Sequence, residues 1–130
     1  MKRSGTIALV ACFILGSACL SARSESPGPK DIPPDVAKTF DKQCAGCHSG
    51  MFAPKGLKLG PSKIAAAIDA PSKEMPKLKL IDTANPGESY LLKKIEGAEG
   101  IAGVKMPKER EMPAADLELI KGWILGLKAK

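Results

Sequence analysis

Apolar residues recur at helical spacing in a few stretches of the chain, separated by long runs rich in Gly, Pro and charge. After Pro33-Pro34, Val36, Phe40 and Cys44 repeat every fourth residue, which predicts a first helix over Asp35 to Ala45 with one apolar face. Ser49 to Gly60 carries Gly50, Pro54, Gly56 and Gly60 and is expected to be loop. A short helix is predicted around Lys63 to Ile68, with Ser62 as its N-cap. Asn85-Pro86-Gly87-Glu88 has the pattern of a helix start: Asn85 as cap, Pro86 in the first turn and Glu88 three residues after the cap. The helix it opens would carry Tyr90, Leu91, Leu92 and Ile95, and Gly97 would end it. A last helix is predicted from Ala114 to Leu127, where Leu117, Ile120, Ile124 and Leu127 form one stripe that Leu119 and Trp123 widen. Phe40 and Trp123 are expected to pack between the first and last helices. No segment alternates as a strand and no internal repeat is present, so the expected fold class is all-α.

Ahead of these elements, Lys2 and Arg3 precede an apolar run from Thr6 to Leu15 that is too short to span a bilayer. Residues 1–18 therefore read as a signal peptide. Gly16-Ser17-Ala18 supplies small residues for cleavage, and Cys19 directly after them resembles the acylated cysteine of a bacterial lipobox, which would anchor the chain to the membrane. Ala22-Arg23-Ser24 offers a competing cleavage site after Ser24. Residues 19–33, rich in Ser and Pro, read as a linker, and residues 34–130 as a single small domain.

Cys44-Ala45-Gly46-Cys47-His48 decides the chemistry. Two thiols three positions apart can reach the two vinyl-derived carbons of one haem edge, and the adjacent imidazole then falls under the iron. Cys44 and Cys47 are expected to form thioether bonds and His48 to supply the proximal ligand. His48 is the only histidine, so a second site of this kind and bis-histidine ligation within the chain are both excluded. A thioredoxin-like pair would follow an apolar strand, whereas a helix leads into Cys44. A structural zinc site wants four Cys or His ligands, and beyond residue 20 only three remain.

Composition narrows the picture further. The formal charge of +6 falls to +3 if Lys2, Arg3 and Arg23 leave with a segment cleaved after Ser24. Two haem propionates would bring it close to neutral, so no nucleic-acid role is expected. Lysines recur between Lys55 and Lys108, and some of them are expected to ring an exposed haem edge and steer acidic redox partners. Beyond the signal segment the aromatics are Phe40, Phe52, Tyr90 and Trp123. So few large side chains leave the core to be filled by something else.

Five features together resemble a monohaem class I cytochrome c of the bacterial-envelope type. They are Phe40 four residues before the first motif cysteine, the CAGCH motif itself, the segment from Leu80 to Leu92 with its Asn85-Pro86 and Ser89-Tyr90, the Lys105-Met106-Pro107 loop, and Leu119 to Ile124 around Trp123. The likeness spans roughly Pro34 to Lys128. It implies a cytochrome c-like fold of about four helices wrapped around one covalently attached haem c. A sixth iron ligand is also needed. Met51 lies three residues after His48, a reach of at most about 11 Å, too short to return to the opposite haem face. Met75, Met106 and Met112 all have enough chain. The resemblance implies Met106, because similar domains take this ligand from a Met-Pro loop shortly before the final Trp-containing helix.

The function expected on this basis is one-electron transfer between protein redox partners in the periplasm or at the periplasmic face of a bacterial envelope. A peroxidase needs an open iron position and a distal proton-transfer group. No second histidine exists and Arg110 is the only arginine past the linker, so no catalytic residue is assigned and no enzyme is expected. The alternative is a haem-based sensor, or a cytochrome subunit of a larger oxidoreductase, with a labile sixth ligand.

Overall fold

The computed structural model describes residues 31–127. The expectations for the signal peptide, for Cys19 and for most of the linker lie outside the described residues. Three α-helices carry the fold: α1 (Pro34–Phe40), α2 (Tyr90–Glu96) and α3 (Ala114–Gly126). Among the described residues there are no strands, only two isolated bridges, Ile68 with Ile81 and Pro71 with Lys79. The protein is all-α. Among the described residues no helix is long and apolar enough to cross a membrane.

Pro34 occupies the first helical position of α1, where its missing N–H costs nothing. Asp35 follows in the first turn, and its carboxylate accepts from the Val36 N–H at 2.9 Å. The helix does not stop at Phe40. It widens into one π-helical turn, Asp41–Ala45, so the predicted run over Asp35 to Ala45 exists but its last turn is looser than an α-helix. Val36 and Phe40 are buried and Cys44 is half-buried, which is the face expected from their spacing.

α3 packs against both α1 and α2. Ile120 and Ile124 are fully buried on it, Leu127 closes the stripe as the C-cap residue, and Leu117 packs against the same core. Leu91, Leu92 and Ile95 enter that core from α2. Gly97 ends α2 in the left-handed region (φ 73°), as its position predicted, and the N–H groups of Gly97 and Ala98 both reach the Lys93 carbonyl at 3.0 Å.

Two expectations are corrected. Ser62 caps nothing: the segment Ile64–Ala67 is a single 3-10 turn preceded by Lys63, and the N–H groups of Lys63 and Ile64 go to the Gly60 carbonyl. Asp69, at φ 57°, and Pro71 leave no room for it to lengthen. Three α-helices and four single turns therefore stand where about four helices were expected. Asn85 does not cap an α-helix either. Pro86–Glu88 forms a 3-10 turn and α2 begins only after Ser89. The Asp82 carboxylate takes the N–H groups of Ala84 and Asn85, and the buried Ser89 hydroxyl takes the Asp82 N–H. Side chains thus satisfy the backbone here before a helix can.

Candidate functional site

The π-helical turn delivers Cys44 to the inner side of α1, and Cys47 and His48 follow directly. The Cys44 carbonyl accepts from the N–H groups of Cys47 (3.2 Å) and His48 (2.9 Å), which holds the motif as one compact turn. Cys44 is half-buried and Cys47 exposed, and both are free thiols. Burial pushes the Cys44 thiol up to about 11, against a smaller opposing effect of the nearby Arg110. A thiol so placed is protonated at neutral pH, unlike the low-pKa cysteine of a disulfide oxidoreductase.

The loop expected over Ser49 to Gly60 folds back onto His48. The Leu59 N–H donates to the His48 carbonyl at 2.7 Å, and the imidazole Nδ1 lies 3.2 Å from the Leu57 carbonyl oxygen. A carbonyl can only accept, so Nδ1 carries the proton in this contact, and in the neutral ring that leaves the lone pair on Nε2. Lys55 (φ 56°) and Gly56 (φ 66°) make the turn that presents this carbonyl.

These residues line a cavity of about 530 Å³, within the size range of small-molecule and cofactor pockets. Its walls are mostly apolar, with Leu57, Leu59, Leu80, Leu91 and Ile95 among them. Met106 and Met112 contribute from the chain leading to α3, so the cavity brings together Cys44, Cys47, His48 and Met106. Met112 is also buried in the core. Met75 does not line the cavity, and Met51 is 88% exposed. Lys55, Lys58, Lys63, Lys73 and Lys108 stand at the cavity and are themselves exposed.

Compared with known protein families, with curated proteins and with solved structures, the chain matches none.

Two polar clusters beside the cavity are not apparent from the motifs. In the first, the Arg110 guanidinium donates to the carbonyls of Gln43 (3.2 Å) and Lys42 (3.5 Å) and to the Gln43 side chain. Gln43 in turn donates to Asp116, which also pairs with Lys42 at 3.0 Å. The stretch before α3 is thereby tied to the turn that presents Cys44. In the second, Glu74, Tyr90 and Lys94 meet at the cavity wall. Burial works against the Glu74 carboxylate, but hydrogen bonds from Tyr90 and Lys94 outweigh it and hold its pKa below the ordinary value. The signals that could have found them are slight: one isolated arginine, and a tyrosine and a lysine four apart on one helix face. Among the described residues no three or more His, Cys, Asp or Glu side chains form a group that could hold a metal ion.

Proposed function

We propose that this chain is a monohaem c-type cytochrome with a cytochrome c-like fold, carrying single electrons between protein partners on the periplasmic side of a bacterial envelope. One observation carries it: two thiols and an imidazole from a single turn face an apolar cavity together with a methionine from a distant segment, and Leu57 fixes the imidazole with Nε2 free. The donor set fits haem c. Cys44 and Cys47 would hold the porphyrin edge by thioether bonds, His48 Nε2 would be the proximal ligand and Met106 Sδ the sixth. A backbone carbonyl accepting the other ring N–H is the support a ligating histidine ordinarily has.

A bound haem supplies a reversible iron couple. The chain's own residues supply the rest. Apolar walls exclude water, the Leu57 carbonyl orients the imidazole, and the exposed lysines at the cavity give that face a positive potential suited to acidic partners. No residue is assigned a catalytic role. A tether through an acylated Cys19 belongs to the same proposal, and Cys19→Ser would then move the protein from the membrane to the soluble fraction.

Intact mass together with reduced and oxidised optical spectra tests the assignment. The processed chain plus one haem is expected, with a low-spin spectrum in both states, and Cys44→Ala with Cys47→Ala should abolish covalent attachment. Haem that extracts from the wild type into acidified organic solvent would contradict it. Rapid stoichiometric carbon monoxide binding by the reduced wild type would instead favour a sensor with a labile ligand.

A further inference from the structure

The segment between α2 and α3 has no regular structure, and Gly97, Gly100 and Gly103 all sit at positive φ along it. Its backbone is therefore intrinsically permissive just where Met106 must be held still. Yet Ala102, four residues ahead of Met106, is gripped at both its polar backbone atoms. The Ala102 N–H donates to the Tyr90 hydroxyl at 3.0 Å, and the Ala102 carbonyl accepts from Lys94 Nζ at 2.7 Å. The two grips are joined behind, because Glu74 Oε2 accepts from the Tyr90 hydroxyl at 3.0 Å and from Lys94 Nζ at 3.2 Å. The Met106 N–H then donates to the Lys94 carbonyl at 2.9 Å. Tyr90 is 2% exposed and Lys94, although a lysine, only 7%.

We propose that Tyr90 and Lys94, bridged by Glu74, are positioning residues that hold Met106 in the cavity wall and so control how readily the position it occupies opens to a small diatomic ligand. This rests on the haem ligation proposed above. Three features make the ring more than a generic buried network. It closes on backbone atoms of the loop rather than on another helix. It comes from one helix face, Tyr90 and Lys94 being neighbours at i and i+4. It also acts on the loop upstream of Met106, whereas the Arg110 contacts lie downstream of it. Losing one member releases Ala102 and strands a buried partner, which favours local opening over a uniform loosening of the domain.

The test uses the full-length, haem-loaded protein in its reduced form, with carbon monoxide as probe. Tyr90→Phe removes a single oxygen, and Lys94→Met keeps the stem but not the charge. Ile124→Val, a core change on α3 away from the cavity, serves as the control for lost stability. Carbon monoxide should bind at least about tenfold faster to the two clamp variants than to wild type, the size expected for one lost hydrogen bond, while Ile124→Val lowers the melting temperature without that acceleration. Unchanged binding in both clamp variants overturns the proposal, as does equal acceleration in Ile124→Val. If neither clamp variant accumulates, amide exchange in the wild type decides: a protected Ala102 N–H supports the clamp, and exchange at the rate of a free loop amide overturns it. Failure of the underlying ligation shows separately. A wild type without covalent haem, or a Met106→Ala variant with an unaltered spectrum, removes that assignment before any clamp variant is made and takes the clamp with it.

Discussion

The ring of Phe40 meets that of Trp123 edge-on, with centroids 5.8 Å apart and planes at 84°. Phe40 is fully buried on α1, four residues ahead of Cys44, so this contact fixes the motif-bearing helix against α3. Phe40→Ala should cost about 3–5 kcal/mol, the usual range for deleting a buried aromatic ring. Equilibrium denaturation of the full-length protein would measure it, and a loss below about 1 kcal/mol would show that the contact does not anchor α1.

The methionines should divide by position. On the proposed haem ligation, Met106→Ala is expected to convert a low-spin spectrum to a high-spin or ligand-binding one and to lower the reduction potential. Met75→Ala should leave the spectrum unchanged, because Met75 does not line the cavity. Met112→Ala should also keep the ligation but destabilise the fold by about 2–5 kcal/mol, since Met112 is a core residue. Spectra and melting curves of the three variants separate these outcomes.

Gly56 is a backbone test of the His48 support. At φ 66° an added Cβ is strained, and it would also lie 3.0 Å from Lys73 Nζ. Gly56→Ala should therefore cost about 1–2 kcal/mol and displace the Leu57 carbonyl that His48 Nδ1 uses. A shifted imidazole ring-proton resonance in the variant would register that displacement, and a wild-type resonance would refute it.

Asp69 should govern part of the acid response. A hydrogen bond from Lys79, then those from Thr83, hold its pKa below the ordinary carboxylate value despite some desolvation. With the folded value depressed, its contribution is fully present above the unfolded pKa and is lost as pH falls through the folded one. Asp69→Asn keeps a residue tolerant of φ 57° but cannot titrate. Its stability should fall less steeply than wild type across the acid range, as followed by circular dichroism at stepped pH.

Much of this was legible in the chain. The four-residue spacing of Val36, Phe40 and Cys44 located the first helix because one face of it is buried, and Gly97 marked the end of α2 because only a residue at ease with positive φ fits there. Helix starts were less legible. Asn85 and Ser62 have the right chemistry for caps, but the Glu88 N–H goes to the Asn85 carbonyl, Asp82 takes the Asn85 N–H, and the Gly60 carbonyl takes those of Lys63 and Ile64, local bonds that the cap residues do not announce. Cys44, Cys47, His48 and Met106 were the candidate residues read from the sequence, and the fold places all four at one cavity. Leu57, Glu74 and Ala102 were invisible, since what matters at Leu57 and Ala102 is a backbone atom, which no side chain announces, and Glu74 meets its partners from a distant stretch of chain.

The motif and the element that packs behind it lie at opposite ends of the described chain: the thiols and imidazole sit just after the first α-helix, and the helix that packs on it is the last. Bringing those two helices together closes a loop of nearly the whole described length, a slower event than forming either helix alone. A chain emerging N-terminus first thus shows Cys44, Cys47 and His48 to its surroundings for an interval before α3 packs on the helix that leads into them. Chemistry at Cys44, which is half-buried in the folded chain, has its freest access during that interval, so the direction of synthesis also sets the order of assembly.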